Sequence, residues 1–433
     1  MRYLCATMTL AALVAVASAG AAEVGDCRAK AIEYHGWQAI EQSNDLITLV
    51  TVPDIGGRTI QMRLGDYGFF WENHQERGRL YPVEEHRTRW VNYGGFKNWL
   101  MPEDKFQAAT AAEIDAGHYR ASIISAGPPA ATIELVSPDD RRRGIRVTRR
   151  LTIYPDSTRV HVEQVIENII GTPVTWGIWD VTQMDCSARA PADGDYNSHA
   201  LVYFRANPKS RFDRGFNVLF GPEDNPQWQP NAYPGIFAAQ YRRLQAKMAA
   251  DSAAGWIAWV DSARGKVYAK AFRVYPRANY PDGGATVEVY TDQALPYLEV
   301  EVLAPLVELK PGESYQFDED WYAATCSGPI VDVCEAGAIS QPLAVRGIGE
   351  GGRIITGQFG VFHRGSAKLV FYNAVGQRQP TTIDLGPVSP NSSLTVSETV
   401  TGHPDIANST RVELYLVSPA NKRIAMLASA ELR

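Results

Sequence analysis

Alternation of apolar and polar residues along most of the chain constrains its fold more than any other feature. Segments 45–64 (DLITLVTVPDIGGRTIQMRL), 145–168 (IRVTRRLTIYPDSTRVHVEQVIEN) and 297–305 (YLEVEVLAP) are rich in β-branched and aromatic residues, and Gly, Pro, Asn or Asp separates such segments. A period of two is typical of strands, and regularly spaced strands without helical crossovers favour antiparallel sheets packed face to face. The sequence therefore predicts an all-β protein built from β-sandwiches.

Helical periodicity is nearly absent. The two modest helix candidates are AIEQS at 39–43 and YRRLQAKMAAD at 241–251. We expect at most short helices there, because neither pattern extends over several turns.

The N-terminus is typical of a secretory signal peptide. Residues 1–22 carry an early positive charge at Arg2, then a short apolar stretch and the small-residue motif ASA at 17–19. The apolar run is shorter than the roughly 20 residues that span a bilayer. We therefore expect cleavage between Ala19 and Ala22 and a secreted or periplasmic protein.

Four cysteines remain after signal cleavage: Cys27, Cys186, Cys326 and Cys334. An even number in an exported chain without a CxxC pair favours disulfides over a zinc site. No metal-ligating residue is predicted, and a calcium site among Asp and Glu residues stays open. Cys326 and Cys334 close the short loop CSGPIVDVC and are the expected pair. This leaves Cys27 with Cys186 by elimination.

The cysteine loop also marks a change of domain. Residues 326–344 combine this loop with the small-residue run EAGAIS and are predicted to link a long domain at 23–325 to a tail at 345–433. The tail has its own strands and turns and the size of a small sandwich, so we interpret it as an immunoglobulin-like module.

Charge and motifs exclude several functions. The formal net charge is −6 and the one triple-basic run, DRRRG at 140–144, looks like a solvated turn, which argues against a nucleic-acid partner. The sequence contains no nucleophile elbow, P-loop, Rossmann fingerprint or HExxH motif. No cofactor is therefore predicted.

Four segments resemble, in order, the galactose mutarotase-like superfamily, and within it most closely the uncharacterised family DUF4380. They are 46–73 (LITLVTVPDIGGRTIQMRLGDYGFFWEN), 92–103 (NYGGFKNWLMPE), 175–184 (TWGIWDVTQM) and 297–323 (YLEVEVLAPLVELKPGESYQFDEDWYA). The resemblance covers roughly Glu33 to Ala323 and implies a supersandwich of large antiparallel sheets with a sugar site on one concave face. Since this fold hosts epimerases, lyase and hydrolase domains and plain binders, the activity has to be argued from residues.

A sugar site combines aromatic faces with charged or amide groups, and segment 92–103 has this composition. After Gly94 and Gly95, Lys97 and Trp99 would share one strand face, and Glu103 would turn inward after Pro102. The same residues also fit a glycine bulge with Trp99 in the core and Glu103 at the surface.

Two further segments supply candidate ligand-binding residues. Arg58 follows a glycine pair, and the resemblance places that turn near the site; a surface charge beside a turn is the alternative. In segment 175–184, Trp179 and Gln183 share one face, with Asp180 and Thr182 on the other.

Carboxylates alternate along two late strands. Glu299 and Glu301 lie opposite apolar residues, and Glu288 is a third inward acid by the same alternation. The resemblance implies that this late strand, followed by a PGE turn, bears the general base of a mutarotase. Glu301 or Glu299 would fill that role.

The expected catalytic acid is missing. Mutarotases carry a histidine on the strand that resembles 175–184, whereas this chain has none between Val162 and Ser198, and His118, His161 and His199 lie outside it. Two hypotheses follow: an exported carbohydrate-active enzyme that isomerises or cleaves a sugar with Glu301 as base, or a non-catalytic glycan-binding or scaffold protein. The sequence sets neither the sugar, small or polymeric, nor the oligomeric state.

Overall fold

The computed structural model describes residues 25–107, 111–348 and 352–432, so the predicted signal peptide at 1–22 lies outside the described residues. The described chain is all-β, as predicted. Its helices are single turns: α1 (Val83–His86), α2 (Glu103–Phe106), α3 (Ala112–Asp115) and α4 (Pro404–Ala407), with 3-10 turns at Pro53–Ile55 and Pro191–Asp193. None of these described helices is long and apolar enough to cross a membrane.

The strands before the cysteine loop are β1 (Cys27–Tyr34), β2 (Trp37–Asn44), β3 (Ile47–Val52), β4 (Arg58–Leu64), β5 (Tyr67–Gly68), β6 (Phe96–Met101), β7 (Arg120–Gly127), β8 (Ala130–Val136), β9 (Ile145–Ile153), β10 (Val160–Asn168), β11 (Val174–Asp185), β12 (Ala200–Arg205), β13 (Asn217–Phe220), β14 (Trp228–Tyr233), β15 (Ile236–Gln240), β16 (Ala246–Ala250), β17 (Trp256–Asp261), β18 (Lys266–Phe272), β19 (Val287–Thr291), β20 (Tyr297–Leu303), β21 (Val307–Leu309) and β22 (Ser314–Thr325). Those from the loop onward are β23 (Asp332–Cys334), β24 (Gly337–Ile348), β25 (Gly352–Val361), β26 (Gly365–Tyr372), β27 (Arg378–Val388), β28 (Ser393–Val400), β29 (Arg411–Val417) and β30 (Arg423–Glu431).

Two large antiparallel sheets form the first part of the molecule. The first has the order β1-β2-β3-β4-β6-β11-β20-β19-β16-β13, with β5 paired to β4 and β21 to β11. The second has the order β14-β15-β12-β17-β18-β22-β10-β9-β8-β7. Their facing side chains form one continuous core, in which Phe96 of the first sheet packs against Trp321 of the second with ring centroids 4.5 Å apart.

Strand β11 shows how alternation divides residues between the two faces of the first sheet. Asp180 and Thr182 point between the sheets, where Asp180 is paired with Lys270 of the second sheet. Trp179 and Gln183 point to the opposite, outer face, where they contact Glu301 and Glu299. This is the division that the sequence pattern predicts.

Neither helix candidate is helical, so those predictions are wrong. Residues 39–43 lie in β2, which pairs with β1 and β3, and Ala246–Ala250 within 241–251 form β16 between β13 and β19. Pairing with two neighbours satisfies the backbone of each segment on both edges, which outweighs a weak local helical preference.

A smaller sandwich follows, with sheet orders β23-β24-β25-β28 and β27-β26-β29-β30. Its apolar residues form a hydrophobic cluster separate from the main core. Residues 326–344, which the sequence assigns to a linker, contain β23 and the first part of β24. At the junction Phe362 stacks on Tyr322, with ring centroids 4.4 Å apart. Independent folding of the tail stays a prediction.

All four cysteines of the described chain are free thiols, which contradicts both predicted disulfides. Cys334 directs its Sγ toward the carbonyl oxygen of Leu427 in β30, whereas Cys326 packs against Gly360. Cys27 begins β1 and Cys186 follows β11, and four strands lie between β1 and β11 in the sheet. At about 4.8 Å per strand spacing, that separation is far beyond the roughly 7 Å limit between Cα atoms for a disulfide.

Candidate functional site

A cavity of about 520 Å³ opens on the outer face of the first sheet. This volume is within the roughly 300–1,000 Å³ that is usual for small-molecule sites. Five neighbouring strands, β6, β11, β20, β19 and β16, contribute to it, together with β13 and flanking loops. The lining residues are Trp90, Trp99, Glu103, Trp179, Leu219, Phe220, Gln245, Lys247, Tyr290, Asp292, Tyr297 and Glu299.

Two glycines bring β6 into this position. Gly94 and Gly95 have φ values of 97° and 70°, in the left-handed region. A Cβ on Gly94 would lie 2.2 Å from the carbonyl oxygen of Trp71, and one on Gly95 would lie 2.6 Å from that of Thr59. The pair therefore allows the backbone to pass between two other segments, which only glycine permits here.

Tryptophans form one wall of the cavity. Trp99 meets Trp179 edge to face with ring centroids 5.0 Å apart, and Trp90 meets Trp99 at 6.1 Å. Trp99 is 7 % exposed and Trp90 is 36 % exposed. Trp99 and Trp179 thus line the cavity while packing against each other. Trp99 is therefore both a packed residue and a cavity-lining residue, which combines the two interpretations of the sequence.

Asp115 holds this wall from behind. Its carboxylate accepts hydrogen bonds from the indole N–H groups of Trp99 at 2.7 Å and Trp90 at 3.1 Å, and from Arg58 at 2.6 Å. Arg58 is fully buried and also donates to the carbonyl oxygen of Gly94 at 3.1 Å. It is therefore a positioning residue behind the cavity, not one of its lining residues as the sequence reasoning expected.

Glu299 is the carboxylate of β20 that lines the cavity. Gln183 donates a hydrogen bond to its Oε1 at 2.9 Å, and Nζ of Lys97 lies 3.5 Å from the same oxygen. Lys97 is buried beneath the wall, with Nζ 3.7 Å from the centroid of Trp99. Burial lowers the pKa of Lys97, and the charge of Glu299 opposes that effect.

Glu301 and Glu288 form a second carboxylate pair below the cavity. They are Cα partners on adjacent strands, both are fully buried, and neither lines the cavity. Burial raises the pKa of Glu301 to about 7 and the pKa of Glu288 well above its ordinary value, while Lys247 acts in the opposite direction on both. The pair of Glu288 and Glu301 beside the ammonium of Lys247 therefore keeps a carboxyl proton up to near-neutral pH.

Lys247 connects this pair to the cavity. Its Nζ lies 2.8 Å from Glu288, 3.4 Å from Glu301 and 3.3 Å from Glu103, and 4.3 Å from the ring centroid of Trp179. Burial alone would lower the pKa of Lys247, but these carboxylates raise it well above its ordinary value. Lys247 is therefore protonated at neutral pH and presents an ammonium group to the cavity.

Glu103 lies at the rim of the cavity, as the sequence reasoning proposed. It begins α2 directly after Pro102, and its side chain is 54 % exposed while reaching Lys247. Trp179 donates its indole N–H to Glu301 at 2.6 Å, so this tryptophan links the wall to the buried pair.

Sequence reasoning missed Lys247, Tyr290, Tyr297 and Trp90. Tyr290 comes two residues after Glu288 and Tyr297 two before Glu299, so strand alternation alone places each on the same face as the acid. Lys247 was hidden because its segment was interpreted as a helix.

None of the eight histidines, all of which lie in described residues, lines the cavity. His118 is paired with Asp54, His161 contacts Asp320, and the backbone N–H of His199 binds Asn197, all outside the lining residues. Lys247 is thus the cationic acid candidate that faces the cavity. Among the described residues, no group of three His, Cys, Asp or Glu is placed to hold a metal ion.

Comparison with known proteins gives matches among solved structures alone. No family model matches the sequence, and a search of curated proteins gives no match. A putative aldose 1-epimerase from Klebsiella pneumoniae subsp. pneumoniae MGH 78578 is 11% identical with a TM-score of 0.48, and the match covers 71% of this chain and 85% of that one. A galactose mutarotase-like protein from Clostridium acetobutylicum is 10% identical with a TM-score of 0.45, covering 69% and 99%. Another from Lactobacillus casei ATCC 334 is 11% identical with a TM-score of 0.44, covering 66% and 99%. Likenesses at this level carry no argument about family or activity.

Proposed function

We propose that this chain binds a sugar in the cavity of the first sheet and acts on its anomeric centre with Glu299 as general base. One observation carries the proposal: the Glu299 carboxylate converges with a tryptophan wall and the Lys247 ammonium in one cavity of about 520 Å³. The alternating apolar and charged lining is what a pyranose, with its C–H faces and ring of hydroxyls, requires.

Each side of the cavity suits a part of the sugar. Trp90, Trp99 and Tyr290 present flat apolar surfaces for the ring. Gln245 and Asp292, both hydrogen-bonded to the hydroxyl of Tyr290, supply amide and carboxylate groups for the sugar hydroxyls. The preset hydrogen bonds of Glu299 and the indoles reduce the ordering required on binding.

The chemistry is a ring opening that needs no other reactant. Glu299 removes the proton from the anomeric hydroxyl, the bond between C1 and the ring oxygen breaks, and Lys247 delivers a proton to that oxygen, giving the open-chain aldehyde. Rotation about the C1–C2 bond then turns the other face of the aldehyde to the ring oxygen. Reversal of the same proton transfers closes the ring as the other anomer. The choice of Glu299 over Glu301 follows from access, because Glu301 is fully buried behind Trp179.

A non-catalytic glycan-binding protein is the second candidate. Glu299 is engaged by Gln183 and Lys97, and Lys247 is engaged by three carboxylates, so both reacting groups already have partners. Without a histidine at the cavity, these groups would then bind hydroxyls and transfer no proton.

Two related assignments rest on sequence. The ordered segments 46–73, 92–103, 175–184 and 297–323 support the galactose mutarotase-like superfamily and, within it, DUF4380. The N-terminal residues 1–22 support export to the periplasm or outside the cell.

A sugar screen followed by an exchange measurement tests the proposal. Thermal shift with a panel of aldoses and oligosaccharides should identify a ligand that stabilises the protein. NMR saturation transfer between the two anomers should then show exchange that Glu299→Gln abolishes and Glu308→Gln, at an exposed position of β21, leaves unchanged. Binding without exchange supports the second candidate, and no stabilisation by any saccharide contradicts both.

A further inference from the structure

A second cavity of about 350 Å³ lies on the same outer face of the first sheet. Three arginines line it: Arg63 from β4, Arg77 from the loop after β5, and Arg189 beyond the end of β11. All three are partly exposed and line this cavity. The proposed mechanism uses none of them.

The two cavities are immediate neighbours. Trp71 lines the second and Tyr297 lines the first, and their rings are in contact with centroids 4.8 Å apart. Gln183, which binds Glu299, and Asp185, which lines the second cavity, are two residues apart on one face of β11. Two residues of strand span about 7 Å. The two cavities therefore adjoin along this face of the sheet.

The carboxylates of the second cavity are already bound. Glu72 accepts hydrogen bonds from Tyr34 at 2.6 Å, Gln61 at 2.9 Å and Arg77 at 2.9 Å. Asp185 is paired with Arg189 at 2.8 Å. These two acids are therefore satisfied by fixed partners and do not require a cation from solution.

Arg63 differs from Arg77 and Arg189 because it has no carboxylate as an ion-pair partner among the described residues. Its guanidinium donates to the hydroxyl of Tyr34 at 2.9 Å, and no acid of the described residues lies within ion-pairing distance of it. Three guanidinium groups beside two bound carboxylates leave a net positive charge. Because a guanidinium donates paired hydrogen bonds to two oxygens of one anion, such a site selects a carboxylate or a sulfate over a hydroxyl.

We propose that the second cavity binds an anionic group on the neighbouring sugar unit, so that the preferred ligand is an acidic oligosaccharide carrying uronate or sulfate-ester groups. This inference rests on the proposed function, because it takes the first cavity as the position of the first sugar. It assigns Arg63 as the specificity-determining residue.

The test compares three disaccharides of the same linkage by isothermal titration: one bearing a hexuronate, one bearing a sulfate ester and one neutral. The wild-type protein should bind at least one acidic disaccharide about tenfold or more tighter than the neutral one, and this preference should shrink as salt is raised. Whichever acidic disaccharide binds tighter identifies the anionic group.

Substitution then locates the preference. Arg63→Gln keeps a donor for Tyr34 but removes the charge, so it should reduce acidic binding to the neutral level while neutral binding stays unchanged. Arg120→Ala, at an exposed position of β7 in the other sheet, is the matched control and should keep the preference. Circular dichroism and thermal unfolding establish that both variants are folded.

Equal wild-type affinities for acidic and neutral disaccharides would overturn the inference and leave the proposed function intact. A preference that Arg63→Gln leaves unchanged would also overturn it. Absence of binding by all three disaccharides and by every sugar of the screen would overturn the proposed function itself.

Discussion

Two lysine–carboxylate centres lie back to back on the first sheet, and they differ in access. On the outer face, Lys247 contacts Glu288 and Glu301 and lines the cavity. On the inner face, Lys270 is paired with Asp180 and donates to the carbonyl oxygen of Val300 at 3.1 Å, sealed between the two sheets. The same residue types thus form a structural pair where they are enclosed and a candidate site where they open to solvent.

The two centres also differ in charge balance. The inner lysine is bonded directly to one carboxylate, Asp180, and the charge of the buried Glu319 acts on it from further away, whereas the outer lysine contacts two buried carboxylates, of which Glu288 ionises with difficulty. Buried ion pairs contribute little net stability, but removing one partner leaves a costly unpaired charge. In the outer centre, Glu288 and Glu301 can take up protons, which avoids the cost of an unpaired buried charge.

The largest expected effect is on the inner centre. Lys270→Met leaves the Asp180 carboxylate buried without a counter-charge and should lower the free energy of unfolding by about 3–5 kcal/mol. Lys247→Met is the matched substitution on the outer face and should cost clearly less, since Glu288 and Glu301 can both take up protons. Urea denaturation of both variants measures the difference, and equal losses would remove the distinction between the centres.

The next effect separates the two carboxylates of β20. Glu299→Gln should slow anomeric exchange by roughly 10²–10⁴-fold, the usual contribution of a general base, while ligand affinity changes little. Glu301→Gln should slow exchange less, because Glu301 does not reach the cavity. Saturation-transfer NMR on both variants checks this order, and a larger loss in Glu301→Gln would reverse the assignment of the base.

Much of this site was predictable from strand alternation. The pairs Lys97 and Trp99, Trp179 and Gln183, and Glu299 and Glu301 each share a face in the structure as in the sequence pattern. The adjacency of β6, β11 and β20 in one sheet brings these pairs together, and the alternation does not predict it.

Other parts of the site depend on long-range contacts that local sequence does not encode. Glu299 and Glu301 are equivalent by alternation, and only the position of Trp179 and Lys247 over Glu301 makes one accessible and the other buried. Lys247 itself was missed because pairing of β16 with β13 and β19 overrides the local helical pattern.

The third effect is a pH dependence of the outer centre. The pKa of Glu301 is raised from its ordinary 4.5 to about 7, so between these values the folded protein holds a proton that the unfolded chain releases. The contribution of this group to the free energy of unfolding therefore falls as pH rises through that window. The difference between wild type and Glu301→Gln, measured by urea denaturation, should slope from about pH 4.5 to 7 and level off above it. Parallel curves across this range would show that the group does not titrate there.

The smallest effect concerns the exposed edge of the tryptophan wall. Trp90→Ala should weaken sugar binding by about tenfold, or about 1.4 kcal/mol, because it removes one stacking surface. It should also lower folding stability, since it removes the ring contact with Trp99 and the hydrogen bond to Asp115. Leu80→Ala, a more exposed apolar position outside the cavity, is the control. An unchanged affinity in Trp90→Ala would place the ligand away from this wall.

The position of a bound sugar tests the central claim most directly. A crystal structure with the best ligand of the screen should show the ring against Trp90 and Trp99, with the anomeric oxygen about 2.6–3.2 Å from a carboxylate oxygen of Glu299. A sugar bound elsewhere, or one held in the cavity with its anomeric oxygen turned away from Glu299, would contradict the account.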